Sequence, residues 1–174
     1  GVFAEAENCP TPVAMGRELR GSVLGIVGHG QIGRTLAATA RALGMHVVVA
    51  DPHVAPESGG PPNLALPELL AQADFVVCLA VANAETENLF DAAAFAAMQP
   101  GACFVNASRG NLVDEAALRD ALDSGHLAGC AMDVGRAPDQ MPSPALAAHA
   151  RVIATPHIGG LTPPAIEHQA LETM

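Results

Sequence analysis

The chain contains no Trp and no Tyr, and only five Phe among its 174 residues. Any core it builds must therefore be aliphatic. Basic residues are scarce as well: eight Lys and Arg stand against 18 Asp and Glu, for a formal charge of −10. A phosphate backbone or an anionic membrane would be repelled, which argues against nucleic acid and membrane partners. The four cysteines (Cys9, Cys78, Cys103, Cys130) form no C-x-x-C pair. Three of them lie inside apolar runs, where Cys behaves as a small buried hydrophobe. That pattern argues against bound metal or a disulfide framework and fits a reducing, cytoplasmic setting. No apolar run reaches the roughly 18 residues of a membrane span, and no signal-peptide pattern opens the chain.

What is present points to one folded domain. Hydrophobic residues make up 50% and charged residues 15%, a balance that excludes disorder. The chain opens on Gly1 and stops inside "PAIEHQALETM", whose apolar spacing is that of a helix still running, so a segment of a longer protein is expected. Residues 1–20 are rich in Pro, Glu and Asn and read as an irregular leader. Residues 21–161 read as a single domain, and 162–174 as the start of a C-terminal helix.

Within the domain, short apolar runs alternate with helical spacing. Strands are expected at 22–28, 45–50, 74–81, 102–107, 127–134 and 151–156, and helices at 31–44, 66–73, 85–98 and 114–125. The strands are continuously apolar rather than alternating, which is the pattern of a parallel sheet covered on both faces. The expected fold is an open, doubly wound α/β sheet.

In such a sheet, ligands gather outside the carboxyl ends of the strands, so the residues that follow each strand matter most. The first strand runs into "GHGQIG", with Gly28, Gly30 and Gly33 in G-x-G-x-x-G spacing at the start of a helix. Gly28 permits a tight turn, Gly30 lets a pyrophosphate approach the backbone, and Gly33 lets the helix pack close. The helix start at Gln31 and Ile32 offers N–H groups to phosphates. Asp51 ends the second strand 18 residues after Gly33 and can accept both hydroxyls of an adenosine ribose. Its charge would repel a 2′-phosphate, which selects NAD over NADP. The bland alternative is a glycine turn that merely joins strand to helix.

The fourth strand exits at "NASRG", the fifth at Asp133, and the sixth at "TPHIGG". The guanidinium fork of Arg109 suits a substrate carboxylate, or equally a surface pair with Asp114 or Glu115. His157, at a strand exit beside Gly159 and Gly160, suits a general acid/base; the other six histidines lack that setting. An Arg and a His beside a nicotinamide suggest hydride transfer at a hydroxy-acid carbon.

Three stretches, "GSVLGIVGHGQIGRTLAATARALGMHVVVADP", "MQPGACFVNASRGNLVDEAALRDALDSGHLAGCAMDV" and "TPHIGG", resemble the signature regions of the D-isomer-specific 2-hydroxyacid dehydrogenases. The resemblance implies that Arg109 is the catalytic Arg that binds the substrate carboxylate and His157 the acid/base. It implies that Asp133 holds the nicotinamide carboxamide, and that Ala80, Ala107, Ser108, Arg109, Gly159 and Gly160 make further cofactor contacts. It also implies a homodimer joined through this domain, with residues 1–20 involved, and a second, substrate-binding domain that this chain lacks. Such a chain should bind NAD but turn over poorly alone. The same fold also serves NAD(H)-sensing corepressors, which makes a non-catalytic binding module the second expectation.

One position departs from the family. Its third catalytic residue is a Glu five places after the Asp matched by Asp133, and it fixes the tautomer of the His. Here that place is Pro138, with Asp139 next to it. Asp139 from a re-routed loop, Gln140 as a neutral partner, or no partner at all are the three readings. Asp139 is favoured, because prolines 138, 142 and 144 stiffly set the loop's path.

Overall fold

The computed structural model describes residues 17–55 and 58–163. All but the first two residues of the expected helix at 162–174 and most of the 1–20 leader lie outside them. Six strands form one sheet: β1 (Val23–Val27), β2 (His46–Ala50), β3 (Phe75–Cys78), β4 (Ala102–Asn106), β5 (Leu127–Met132) and β6 (Val152–Ala154). Every pairing is parallel, in the order β2-β1-β3-β4-β5-β6. The chain thus builds outward from β1 in one direction, then crosses back to build in the other. That reversal leaves a crevice between the carboxyl ends of β1 and β3.

Burial explains the apolar runs. Leu24, Ile26, Val47 and Val49 pack with Ala37 and Ala40 of α1 (Gln31–Ala42) on one face. Val27, Val48, Val76, Phe104 and Met132 pack on the other face with residues of α2 (Leu66–Leu70), α3 (Ala92–Ala97) and α4 (Glu115–Asp123). After their first residues β1 and β2 are buried on both faces, which leaves no position for a polar residue. In contrast, β3, β4 and β5 alternate between buried and more open positions. Three of the five Phe (Phe90, Phe95, Phe104) meet under α3 with ring centroids 4.6–6.1 Å apart.

The structure corrects several expected boundaries. The helix expected over 85–98 begins only at Ala92, because the Asp91 carboxylate accepts the Ala94 N–H and caps it there. The residues before it are held in turns instead: Asn83 Oδ1 accepts the N–H groups of Glu85 and Thr86, and Asn88 has φ +52°. A 3-10 turn at Gly110–Leu112 and a short α5 (Pro144–Ala147), capped by Ser143, were not expected. Nor was a strand-like rung at Asn63, which pairs with Val49 outside β2.

Candidate active site

The glycine turn sits where the expected spacing places it. Gly28 has φ +98°, and a Cβ there would lie 2.7 Å from the backbone of Leu79 and Ala80, so only glycine fits. A Cβ on Gly33 would lie 2.4 Å from the Gly28 carbonyl, which shows how closely α1 approaches β1. Gly30 is different: a Cβ there would meet nothing within 4 Å, so nothing among the described residues requires its absence. The space over Gly30 suits a ligand's pyrophosphate. No side chain caps α1 and no acidic residue occupies its first turn, which keeps the positive end of its dipole available to an anion. Ile32, in that first turn, is 70% exposed.

Asp51 follows β2 and is half-buried. Its Oδ2 accepts the His29 N–H at 2.8 Å and its Oδ1 the His53 N–H at 2.9 Å. A carboxylate offers about four lone-pair positions, so two remain for the hydroxyls of a ribose. These features fit a dinucleotide: a glycine cradle at a helix N-terminus and a fixed carboxylate 18 residues on.

At the other end of the edge, polar side chains hold the geometry. Asn106 ends β4 fully buried; its Nδ2 donates to the Arg109 carbonyl at 3.0 Å and its Oδ1 accepts the Ser108 N–H at 3.0 Å. Ser108 Oγ in turn donates to the Ala80 carbonyl at 2.5 Å, joining the exits of β3 and β4. Ala107 and Arg109 are exposed. Asp114 caps α4 through the N–H groups of Ala116 and Ala117, and Glu115 accepts the Arg136 N–H. Arg109 forms a salt bridge with neither; its Nη1 donates to the Ser108 carbonyl at 2.8 Å. The surface-pair alternative for Arg109 thus finds no support among the described residues.

Asp133, at the exit of β5, is a junction. Its N–H donates to the Asn106 carbonyl at 3.0 Å. Its Oδ1 accepts from Thr155 Oγ1 at 2.5 Å and from the Ile158 N–H at 3.0 Å, and its Oδ2 from the Gly159 N–H at 2.9 Å. Burial pushes its carboxyl up, but these hydrogen bonds and the nearby charge of His157 more than offset that, leaving it below the usual range. A Cβ on Gly159 would come within 2.9 Å of Oδ2, so the glycine beside His157 keeps the carboxylate accessible. His157 stands at the apex of the 155–159 turn with φ +52°, in the left-handed region that few non-glycine residues enter. Such strain marks a position fixed by its surroundings. Gly160 follows, half-buried.

Asp139 and His157 share no hydrogen bond or ion pair among the described residues. Asp139 Oδ1 accepts the Met141 N–H at 3.0 Å instead. The loop closes on itself, with Gln140 at φ +60° and its carbonyl accepting the Gly135 N–H at 2.7 Å. Gln140 makes no side-chain bond to His157 either. Gly135 lies against Gly110, where a Cβ would be 2.0 Å from its carbonyl carbon. Arg136 locks the loop from outside, donating to the Val113 and Asn111 carbonyls, to Glu87 at 2.9 Å and to the Asn88 side chain.

The reading of the sequence missed Asn106, Thr155, Asn63 and Arg136. Only Asn106 left a local signal, as a polar residue ending a buried strand just before Arg109. Burial pushes the Cys78 and Cys130 thiols up to about 12, so neither is a thiolate near neutrality. A hollow of about 690 Å3 between α3 and α4, lined by Phe95, Ala117 and His126 among others, shares no residue with this edge. The chemistry gathers on the open strand ends instead.

Fold and edge together define the cofactor domain of a nicotinamide-dependent dehydrogenase. Residues 4–159 match the D-isomer specific 2-hydroxyacid dehydrogenase NAD-binding domain, and the chain belongs to that family. It is 41% identical over 150 residues to the D-3-phosphoglycerate dehydrogenase of Mycobacterium leprae (strain TN), covering 84% of this chain and 28% of that protein. Its fold matches a glyoxylate reductase from Paecilomyes thermophila with a TM-score of 0.84 at 35% identity, covering 90% of this chain and 48% of that one. It also matches an NAD-dependent formate dehydrogenase from Staphylococcus aureus, solved in complex with NAD, with a TM-score of 0.82 at 29% identity, covering 90% of this chain and 49% of that one. The domain's cofactor is NAD. The chain spans little more than a quarter of the curated relative and about half of each solved neighbour. No helix among the described residues is long and apolar enough to cross a membrane.

Proposed function

We propose that this chain is the cofactor domain of an NAD-dependent dehydrogenase acting on a small D-2-hydroxy acid or the corresponding 2-oxo acid. Gly28, Gly30, Gln31, Ile32 and Gly33 would hold the pyrophosphate and Asp51 the adenosine ribose. Ala80, Ala107, Ser108, Arg109, Asp133, Gly159 and Gly160 would line the nicotinamide end. When bound there, NAD supplies the acceptor for the hydride leaving the hydroxy-acid carbon. Arg109 grips the substrate carboxylate through its fork and polarises the reacting oxygen. The His157 ring takes the hydroxyl proton during oxidation and returns it during reduction.

One observation carries this reading: a continuous hydrogen-bond path from the Arg109 carbonyl through Asn106 and Asp133 to the N–H groups of Ile158 and Gly159, just after His157. It ties the two groups the reaction needs to one frame. In this reading Asp133 is the carboxylate that serves His157, as anchor of its turn and as neighbouring negative charge. The assignment of Asp139 to that task has only its place in the sequence behind it. The test is NADH oxidation by the full-length protein over glyoxylate, pyruvate, hydroxypyruvate and larger 2-oxo acids. At least one should be reduced, and His157→Gln should lower kcat by about a thousandfold with NADH affinity retained. The isolated 174-residue chain should bind NADH and turn over poorly.

A second reading, an NAD(H)-sensing module without catalysis, gains weight because no carboxylate is bonded to the His157 ring among the described residues. Intact NADH binding with no 2-oxo acid reduced would favour it. A homodimer formed through this domain is part of either reading, and sedimentation tests it. A cytoplasmic setting agrees with the free thiols of Cys78, Cys103 and Cys130.

A further inference from the structure

The carboxylate expected to read the ribose does not hold itself in place. Asp51 lies just beyond the end of β2, where the sheet no longer fixes its main chain. What fixes it is a side chain from 12 residues on. Asn63 accepts the Asp51 N–H on Oδ1 at 3.1 Å, and its Nδ2 donates to the carbonyls of Asp51 and Val54, both at 2.8 Å. The Asn63 side chain thus closes on both main-chain polar groups of Asp51 and pins the following turn.

Asn63 is itself anchored. The Val49 N–H donates to the Pro62 carbonyl at 2.9 Å and the Leu64 N–H to the Val49 carbonyl at 2.8 Å, so Asn63 sits on a strand-like rung beside β2. With the backbone of residue 51 held there, its carboxylate is aimed by the N–H groups of His29 and His53. No other side chain donates to or accepts from the Asp51 main chain among the described residues.

We infer that Asn63 is a positioning residue for cofactor selection, holding Asp51 where its charge meets the ribose 2′ position. The inference rests on Asp51 reading the ribose. A carboxylate discriminates between a 2′-hydroxyl and a 2′-phosphate only when held at a defined distance; a loosened one binds the first less well and repels the second less strongly. Removing Asn63 should therefore weaken NADH binding while narrowing the gap between NADH and NADPH.

The experiment is calorimetric titration of the intact protein with NADH and with NADPH, for the wild type, Asn63→Ala, Asn63→Leu and Asp51→Asn. Leu fills nearly the same space as Asn without hydrogen bonds, so it separates lost bonding from a lost filling; thermal melts show that each variant is folded. Both Asn63 variants should raise the NADH Kd about tenfold and shrink the NADPH-to-NADH Kd ratio by at least about threefold. Equal weakening for both nucleotides, or none, would make Asn63 an ordinary fold contact and overturn the inference. Asp51→Asn should abolish most of the preference. If it leaves the ratio unchanged while the Asn63 variants do likewise, the ribose assignment of Asp51 has failed first and the role of Asn63 falls with it.

Discussion

At the glycine turn after β1, position is set by main chain and by what glycines leave out; at the β4–β6 end, as at Asp51 after β2, it is set by side chains. The first end needs Gly28 and Gly33 because backbone occupies the space a Cβ would take, and it presents a helix N-terminus that no side chain caps. The second end gathers Asn106, Asp133 and Thr155 into one network around Arg109 and His157. A glycine turn can be disabled by one methyl group. A side-chain network can lose a member and keep its backbone path. The two ends should therefore fail differently when mutated.

The largest effect is expected at the glycine end, and two neighbouring substitutions separate fold from binding. Gly33→Ala puts a methyl 2.4 Å from the Gly28 carbonyl and forces α1 away from β1. It should cost about 1–3 kcal/mol in thermal or denaturant unfolding and also weaken NADH binding. Gly30→Ala enters open space, and its φ of −73° is ordinary for Ala, so the melting curve should not move. Its NADH Kd should still rise at least about tenfold, because the methyl occupies the approach of the pyrophosphate. A Gly30→Ala protein that binds NADH normally would remove the reason for calling this turn a phosphate cradle.

That end was legible because its information is local. "GHGQIG" between an apolar run and a helical stretch carries the turn, the helix start and the glycine positions in six residues. The strands were legible for a similar reason, since each is a nearly unbroken apolar run, and β1 and β2 are buried on both faces after their first residues. The helix expected over 85–98 was overlong because apolar spacing does not show where Asp91 will cap, nor that Asn83 and Thr86 will bond within their own turn. The network at the other end was not legible as a network. Asn106, Asp133 and Thr155 lie on three successive strand exits, and only the β4–β5–β6 register brings them within hydrogen-bond reach.

Asp133→Asn tests that end at intermediate strength. An Asn can still accept from Thr155 or Ile158, but its NH2 would face the Gly159 N–H, so the turn that carries His157 should loosen. With the charge lost as well, kcat/KM should fall about tenfold while the protein stays folded. The pH dependence follows from the direction of its shift. A carboxyl held below its ordinary value of 3.8 contributes stability that is fully present above that value and is lost as pH falls through the lower, folded one. Unfolding measured between pH 6 and pH 2 should show the wild type losing this contribution only at the acid end, and Asp133→Asn lacking that component. Superimposable curves for the two proteins would mean that the carboxylate does not latch the 155–159 turn.

The smallest effect is expected at Asp139, whose carboxylate is engaged within its own loop. The family pattern puts a carboxylate at the place of Pro138, and Asp139 stands one residue away. A one-residue displacement in a free loop could be absorbed by the chain, but this loop is not free. The Gly135 N–H is bonded to the Gln140 carbonyl, the Gln140 N–H to the Ala137 carbonyl, and Arg136 is tied to the turns before α3 and α4. Inside that frame the Asp139 carboxylate spends its Oδ1 on the Met141 N–H. Asn at this position keeps an acceptor for that bond and removes only the charge. The pH–rate profile and kcat/KM of Asp139→Asn should therefore lie within about twofold of wild type, the range of a surface substitution. A displaced profile would return Asp139 to the catalytic set, and would require the 135–141 loop to open when substrate and NAD are bound.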